Sequence, residues 1–392
     1  MTQTERSAGW LIIALWAAGL GAAAQFAKMA VIFPALQAAY PEAGAGLGLA
    51  VSLLSFLGIG LGLLAGLITA RGPRRVLIFA LGLGAAVSLF QALMPPLPVL
   101  LASRVVEGLS HLLIVVAAPS LIGQASAPRH RPLAMTLWST FFGVAFALVA
   151  WFGPAVVARG GPALLFVLHA GAMATLALVL ARMLPRRPPP GAPLPLDPRA
   201  LLRRHVEIYR SPALSAPALG WLFYTLTFVS LMTVLPAMLA PAERALVAVT
   251  MPLAGIACAL SLGVALLRRW PAVPVVVLGF GLALLAALGL VIWPASPWPP
   301  IALAATLGLV QAGSFTAIPQ LNPAAEAQSL ANGAVAQMGN LGNALGTPLL
   351  LWAVEGFGRA GMAGFLVGAY GLGIAVHLGL ARRRGAGGAA PA

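Results

Sequence analysis

Apolar stretches of twenty residues or more recur along the chain, from the run that opens at Trp10 to the one that closes near Leu380, with short loops of Arg, Pro and Gly between them. A helix needs about 20 residues to cross about 30 Å of hydrocarbon, and in lipid only helices and closed barrels satisfy their own backbone hydrogen bonds. Runs of this length therefore require an all-α membrane protein. Composition agrees: 8% of the 392 residues are charged, against about 25% in soluble domains. The 44 glycines and 33 prolines would signal disorder in a polar chain, but many lie inside the apolar runs. There, neighbouring helices re-satisfy the backbone groups that a proline frees.

The runs predict spans at roughly 9–38, 46–70, 76–94, 99–122, 133–158 and 163–184, then at roughly 214–240, 245–267, 273–293, 300–321, 328–353 and 362–381. This gives an N-terminal half (1–184), a linker (185–213) and a C-terminal half (214–392). The first run is far longer than the apolar core of a signal peptide and is expected to remain as the first helix. With a cytoplasmic N-terminus, 18 cations fall in inside segments, whereas the outside loops carry only Arg159, Arg244 and Arg359. Excess Lys and Arg mark cytoplasmic loops, so both termini are expected inside, in the cell inner membrane.

The net charge of +15 does not point to nucleic acid, because the arginines sit in short loops and form no folded basic face. Cys258 is the single cysteine, which excludes an intrachain disulfide and a thiolate cluster. In the linker, PRRPPPGAPLPLDP is a proline-rich tether. Asp197 and Pro198 then predict the start of a short helix in which Leu201, Leu202, Val206 and Ile208 alternate with arginines. Such a helix suits the anionic surface of the cytoplasmic leaflet; a disordered tether is the alternative.

An internal repeat runs through the prolines. Pro34 and Pro236 lie 202 residues apart, Pro119 and Pro319 lie 200 apart, and Pro154 and Pro348 lie 194 apart, as do Arg74 and Arg268. The pairs keep chain order and drift only by loop-sized steps. An even number of spans per half makes the repeats parallel.

Twelve spans, cytoplasmic termini, a basic central linker and parallel halves resemble the major facilitator superfamily over essentially the whole chain. The loop TARGPRRVL, Thr69 to Leu77, is similar to the family's Asp-Arg-x-Gly-(x)-Arg-Arg gating loop. Gly72, Arg74 and Arg75 match it, while Thr69 and Ala70 stand where Asp and Arg are usual. RVVEGLSHLL matches the family's Arg-x-x-x-Gly pattern at Arg104 and Gly108. Together with AAPSLI and MTLWST, it looks most like the cyanate-permease-like branch. Of the family's glycine-rich antiporter pattern only Gly153-Pro154 is present, which weighs against drug efflux. The resemblance implies two six-helix parallel repeats around a central cavity lined by spans one, four, seven and ten. It also implies alternating access.

Charges deep in a membrane are expensive and are usually paired or functional. Away from span ends there are three, Lys28 in span one and Arg104 and Glu107 in span four. Arg104, Glu107 and His111 project from one helical face. Span one runs outward and span four inward, so Lys28 and Glu107 fall at similar depth in the outer half. On the resembled family's plan these residues line the cavity. Lys28, Arg104 and His111 are expected to bind substrate, and Glu107 to carry a coupling proton. Arg104 and Glu107 also read as a purely structural ion pair, and His111, His169 and His377 as packing groups. The repeat offsets carry Lys28 to Ser230 and His111 to Gln311. Ser230, Gln311 and Tyr224 would then supply neutral hydrogen bonds opposite. Two cations and one carboxylate favour an anionic substrate.

The cytoplasmic gate is expected to comprise Arg71, Arg74 and Arg75, with Glu326 of the other half replacing the absent Asp. No metal, cofactor or catalytic motif is present, and no enzyme is expected. The chain thus reads as a monomeric secondary transporter of a small, anionic solute, either a uniporter or a proton-coupled symporter. Proton-driven efflux of amphiphilic compounds and a non-transporting membrane sensor are the rivals.

Overall fold

Proline sets where many of the helices begin, because its missing N–H costs nothing in a first turn. In the computed structural model, which describes residues 3–30, 32–186, 198–294 and 296–387, it stands in the opening turn of most of the helices. In chain order the helices are α1 (Gln3–Ala30), α2 (Phe33–Ala39), α3 (Leu49–Arg71), α4 (Pro73–Gln91), α5 (Leu97–Ala125), α6 (Arg131–Ser139) and α7 (Phe141–Met183). Then follow α8 (Pro198–Arg210), α9 (Pro212–Val234), α10 (Pro241–Cys258), α11 (Val264–Leu267), α12 (Ala272–Ile292), α13 (Trp298–Leu321) and α14 (Ala325–Gly387).

Among the described residues, eleven stretches are long and apolar enough to cross a bilayer, and the last, Ala325–Gly385, has 61 residues. That length suffices for two crossings. Gly358 (φ 57°) interrupts it with a backbone that side-chain-bearing residues rarely adopt. The chain folds back there, since a Cβ on Gly361 would lie 1.9 Å from the carbonyl oxygen of Ala353. Eight residues of continuous helix would hold those positions about 12 Å apart. The fold is therefore all-helical, with twelve crossings. Gly160 and Gly161 (φ 66°) break α7 in the same way, separating the fifth crossing from the sixth.

Some boundaries differ from expectation. The first span does not run through 38 but ends at Ala30, and α2 starts anew with Pro34 in its first turn. Proline inside a continuing helix would remove a hydrogen bond and clash one turn back. The fifth span is interrupted at Thr140, and the eighth contains a widened turn at Ala259–Gly263. α8 forms where the linker helix was expected, with Leu202 and Val206 exposed and Ile208 buried. The Tyr209 hydroxyl donates to Gln337 Oε1 at 2.8 Å. Asp197 and most of the proline-rich tether lie outside the described residues.

Contacts divide the chain into two units, one of Met1–Ala127 with Thr140–Pro195 and one of Pro128–Ser139 with Leu196–Ala392. The repeat is built into close helix crossings of each. In the first unit α5 meets α3 at Gly108, where a Cβ would lie 2.6 Å from the Leu54 carbonyl oxygen. In the second, α13 meets α10 at Gly308, where a Cβ would lie 2.2 Å from the Gly255 carbonyl oxygen. These glycines stand 200 residues apart, the offset that relates Pro119 to Pro319. Gly84 of α4 lies against Ser110 of α5, and Gly279 of α12 lies against Val310 of α13, with Ser110 and Val310 again 200 apart. Small residues at such crossings let backbones approach, the main source of packing between helices in lipid.

The two interiors differ in chemistry. Val276, Phe280, Ala283, Leu303, Leu307 and Tyr370 fill the core of the second unit. The corresponding region of the first unit, between α1, α4, α5 and α7, is polar and charged. Phe56, Trp151, Leu285 and Phe357 are among the large side chains left exposed, as a lipid-facing surface requires.

Candidate functional site

α5 places Arg104 and Glu107 one turn apart on the face that packs against α1 and α4. The two form a buried ion pair through Arg104 Nη1 and Glu107 Oε2. α1 brings Lys28 to the other carboxylate oxygen, with Nζ 2.6 Å from Oε1. One carboxylate thus serves two cations. Lys28, Arg104 and Glu107 are exposed by 1%, 0% and 0%.

α4 completes the shell with Ser88 and Gln91, one turn apart. Lys28 Nζ donates to Ser88 Oγ at 2.5 Å and to Gln91 Oε1 at 2.8 Å, so with Glu107 its three protons meet three acceptors. The ammonium also lies 5.3 Å from the centre of the Phe166 ring, within cation–π range. Gln91 Nε2 donates to Glu107 Oε2 at 2.7 Å. Arg104 spends Nε on the Ala50 carbonyl, at 2.6 Å, and Nη2 on the Gln25 carbonyl, at 2.9 Å. Desolvating an ion costs several kcal/mol, about as much as a good pairing returns. This density of partners is what lets three charges persist there, with one positive charge in excess.

His169, on the second segment of α7, adjoins the cluster. Its Nδ1 lies 2.7 Å from Ser88 Oγ and its Nε2 lies 2.9 Å from the Gly21 carbonyl. The tautomer with a proton on Nε2 satisfies both bonds, donating to Gly21 and accepting from Ser88. On α1, Gln25 Nε2 donates to Ser110 Oγ at 2.9 Å, and Ser110 donates to the Ala80 carbonyl at 2.7 Å.

The fold brings Lys28, Arg104 and Glu107 together; Lys28 and Glu107 bond to Ser88 and Gln91 of α4, and Arg104 bonds to carbonyls of α1 and α3. His111 stands apart from the ion cluster. Its Nδ1 lies 2.9 Å from the Ala22 carbonyl and its ring packs edge-on to Phe26 at 5.0 Å. His169, read from the sequence as isolated packing, is corrected: it is hydrogen-bonded to the cluster. Gln25, Ser88, Gln91, Ser103 and Ser110 were also missed. The signal for two of them was Ser88 and Gln91 at one-turn spacing in an apolar run.

In the second unit Tyr224 is stacked between Trp221, at 4.3 Å, and Phe228, at 5.3 Å. Ser230 turns its hydroxyl onto the Leu226 and Thr227 carbonyls of its own helix. Gln311 Nε2 donates to the Ser139 carbonyl. Of the gate residues, Arg74 donates to the Ala181 and Leu184 carbonyls at the end of α7, at 2.7 and 3.1 Å. Arg71 is half-buried, whereas Arg75 and Glu326 are exposed. Among the described residues no three His, Cys, Asp or Glu side chains gather as a metal site would need.

The profile of the Major Facilitator Superfamily matches residues 11–347. The comparison with curated proteins gives no match. Among solved structures, the chain aligns with the human organic anion transporter TETRAN at a TM-score of 0.75 and 17% identity, covering 97% of this chain and 100% of that one. The transporter FucP in its outward conformation gives 0.73 and 15%, covering 96% and 99%; a second structure describes it as the fucose:proton symporter of E. coli. The proton:xylose symporter XylE gives 0.71 and 13%, covering 96% and 95%. At these identities the likeness is one of fold.

Proposed function

Because the chain belongs to the major facilitator superfamily, we propose that it is a secondary transporter carrying a small anionic solute together with a proton, by alternating access of its two halves. On this reading it is a monomer in the inner membrane with both termini cytoplasmic. The observation that carries the anion and the proton is the single carboxylate held by two buried cations, Glu107 between Lys28 and Arg104.

Every Nζ proton of Lys28 already has a protein acceptor, so an anion reaches this site only by displacing one. Glu107 is the group whose displacement is linked to pH. Ionised, it competes with an anion for the same two cations. Protonated, it releases them. The empty site holds two cations and one carboxylate; the loaded site holds two cations, a neutral carboxyl and one bound monoanion. Net buried charge is the same in both, so neither state bears an added desolvation cost. Protonation without an anion leaves a second uncompensated positive charge buried and is disfavoured, while an anion arriving at ionised Glu107 must compete with it for the same two cations. Coupling follows from that asymmetry.

Tyr224, Ser230 and Gln311 remain candidates for contacts to the solute's neutral portion, and Arg71, Arg74, Arg75 and Glu326 for the cytoplasmic gate. Arg74 would have to leave its α7 carbonyls, or act through them, to take part.

The test is transport in proteoliposomes offered small carboxylates and inorganic anions. An inward proton gradient is expected to drive accumulation by the wild type. Glu107→Gln, which resembles the protonated carboxyl, is expected to retain anion exchange and lose accumulation. Dye extrusion without anion uptake, or no flux of any solute, overturns the reading in favour of an efflux pump or a sensor.

A further inference from the structure

Glu107 is sealed at 0% exposure, so a coupling proton needs a path to it. The groups that titrate or carry charge around it are Lys28 on α1, Arg104 and His111 on α5, and His169 on α7. α4 contributes only the neutral Ser88 and Gln91. Arg104 keeps its protons at any relevant pH. Between the two histidines, geometry discriminates. His111 spends Nδ1 on the Ala22 carbonyl and makes no hydrogen bond to the ion cluster. His169 is joined to Glu107 by three consecutive hydrogen bonds: 2.7 Å from Nδ1 to Ser88 Oγ, 2.5 Å from Ser88 Oγ to Lys28 Nζ, and 2.6 Å from Nζ to Glu107 Oε1. Its exposure, 8%, exceeds that of the three charged residues.

We propose that His169 is the proton-loading residue of this transporter, passing its proton through Ser88 and Lys28 to Glu107. The inference rests on Glu107 being the coupling carboxylate. Protonation makes His169 an imidazolium, with protons on both ring nitrogens. Nδ1–H then donates to Ser88 Oγ. Lys28 gives one Nζ proton to Glu107 Oε1; its neutral amine then rotates to turn its lone pair to Ser88 and takes the hydroxyl proton, and Ser88 takes the proton on Nδ1. His169 ends neutral, Glu107 ends as a carboxylic acid, and Ser88 and Lys28 end as they began. The direct contact from Ser88 Oγ to Glu107 Oε1, at 3.3 Å, is the longer alternative. Nε2–H stays on the Gly21 carbonyl throughout, which holds the ring in register while its other face exchanges the proton.

The proposal is tested by infrared spectroscopy on the full chain in lipid, held at saturating concentration of the anion whose uptake the proteoliposome assay measures, after a rapid drop in pH. The probe is the carbonyl stretch of a protonated carboxyl, assigned to Glu107 by its loss in Glu107→Gln. His169→Gln retains hydrogen-bonding capacity toward Ser88 and Gly21 but carries no proton; Ser88→Ala cuts the path and leaves the histidine. Each is expected to slow the rise of the band at least about tenfold, the scale of a lost proton-transfer group, with its final amplitude unchanged. His111→Gln is expected to leave the rate at the wild-type value. A wild-type rate in both His169→Gln and Ser88→Ala overturns the relay and leaves the coupling carboxylate standing. A band that never rises in the wild type overturns the coupling reading itself, and the relay with it.

Discussion

At the scale of single residues, removing one member of a buried ion cluster leaves its partners with their desolvation cost and without their compensation. Loss of Glu107 strands two cations in the interior of the first unit. Loss of Lys28 leaves a neutral pair, Arg104 with Glu107, and costs chiefly the hydrogen bonds that Ser88 and Gln91 had accepted. Glu107→Ala is therefore expected to lower stability by about 3–5 kcal/mol, and Lys28→Met by about 1–3 kcal/mol. Denaturant unfolding in detergent checks the order; a costlier Lys28→Met would mean that the excess positive charge is not where the strain lies.

At the scale of elements, the helices are set by glycine contacts at their crossings and by capping at their ends. Gly308 has the Gly255 carbonyl 2.2 Å from where its Cβ would be, while Gly60 of α3 has nothing within 4 Å. Gly308→Ala is expected to cost about 1–3 kcal/mol, because α13 and α10 must move apart. Gly60→Ala is expected to be neutral or to stabilise by up to about 1 kcal/mol through helix propensity. Thermal unfolding of the two variants side by side separates packing from propensity. Arg74 ties the start of α4 to the last carbonyls of α7, where a cation also meets the negative end of the helix dipole. Arg74→Ala is expected to destabilise by about 1–3 kcal/mol, and Arg75→Ala, exposed, by less than about 0.5 kcal/mol. Equal effects of the two, in the same assay, would argue that the α7 contact contributes nothing.

At the scale of the whole molecule, the loop charges predict which face meets the cytoplasm. With Cys258 replaced by alanine, single cysteines at Arg75 or Glu326 are expected to react with an impermeant maleimide only from the cytoplasmic side. One at Arg159 is expected to react only from the other side. All three positions are exposed, so reactivity reports sidedness rather than burial. Labelling of Arg75→Cys from outside intact cells would invert the topology, and with it the assignment of the gate.

The sequence by itself determined what depends on local hydropathy and on covalent order. Twelve crossings were legible because each needs its own apolar length. The repeat was legible because its offsets survive in the chain, and Gly108 and Gly308 now mark equivalent close crossings in the two units. The meeting of Lys28 with Glu107 was legible too, since a fixed rise per residue sets the depth of a side chain in a span. What depth does not set is rotation about the helix axis. That comes from packing against neighbours, which decided that Glu107 meets Ser88 and Gln91 of α4 while Arg104 reaches carbonyls of α1 and α3. Pro34 and Thr140, where spans one and five break, sit in apolar runs that read as continuous. His169 looked isolated because its partners lie 81 and 148 residues away in sequence. Only the folded unit, which must give every buried polar atom a partner, brings them within hydrogen-bonding distance.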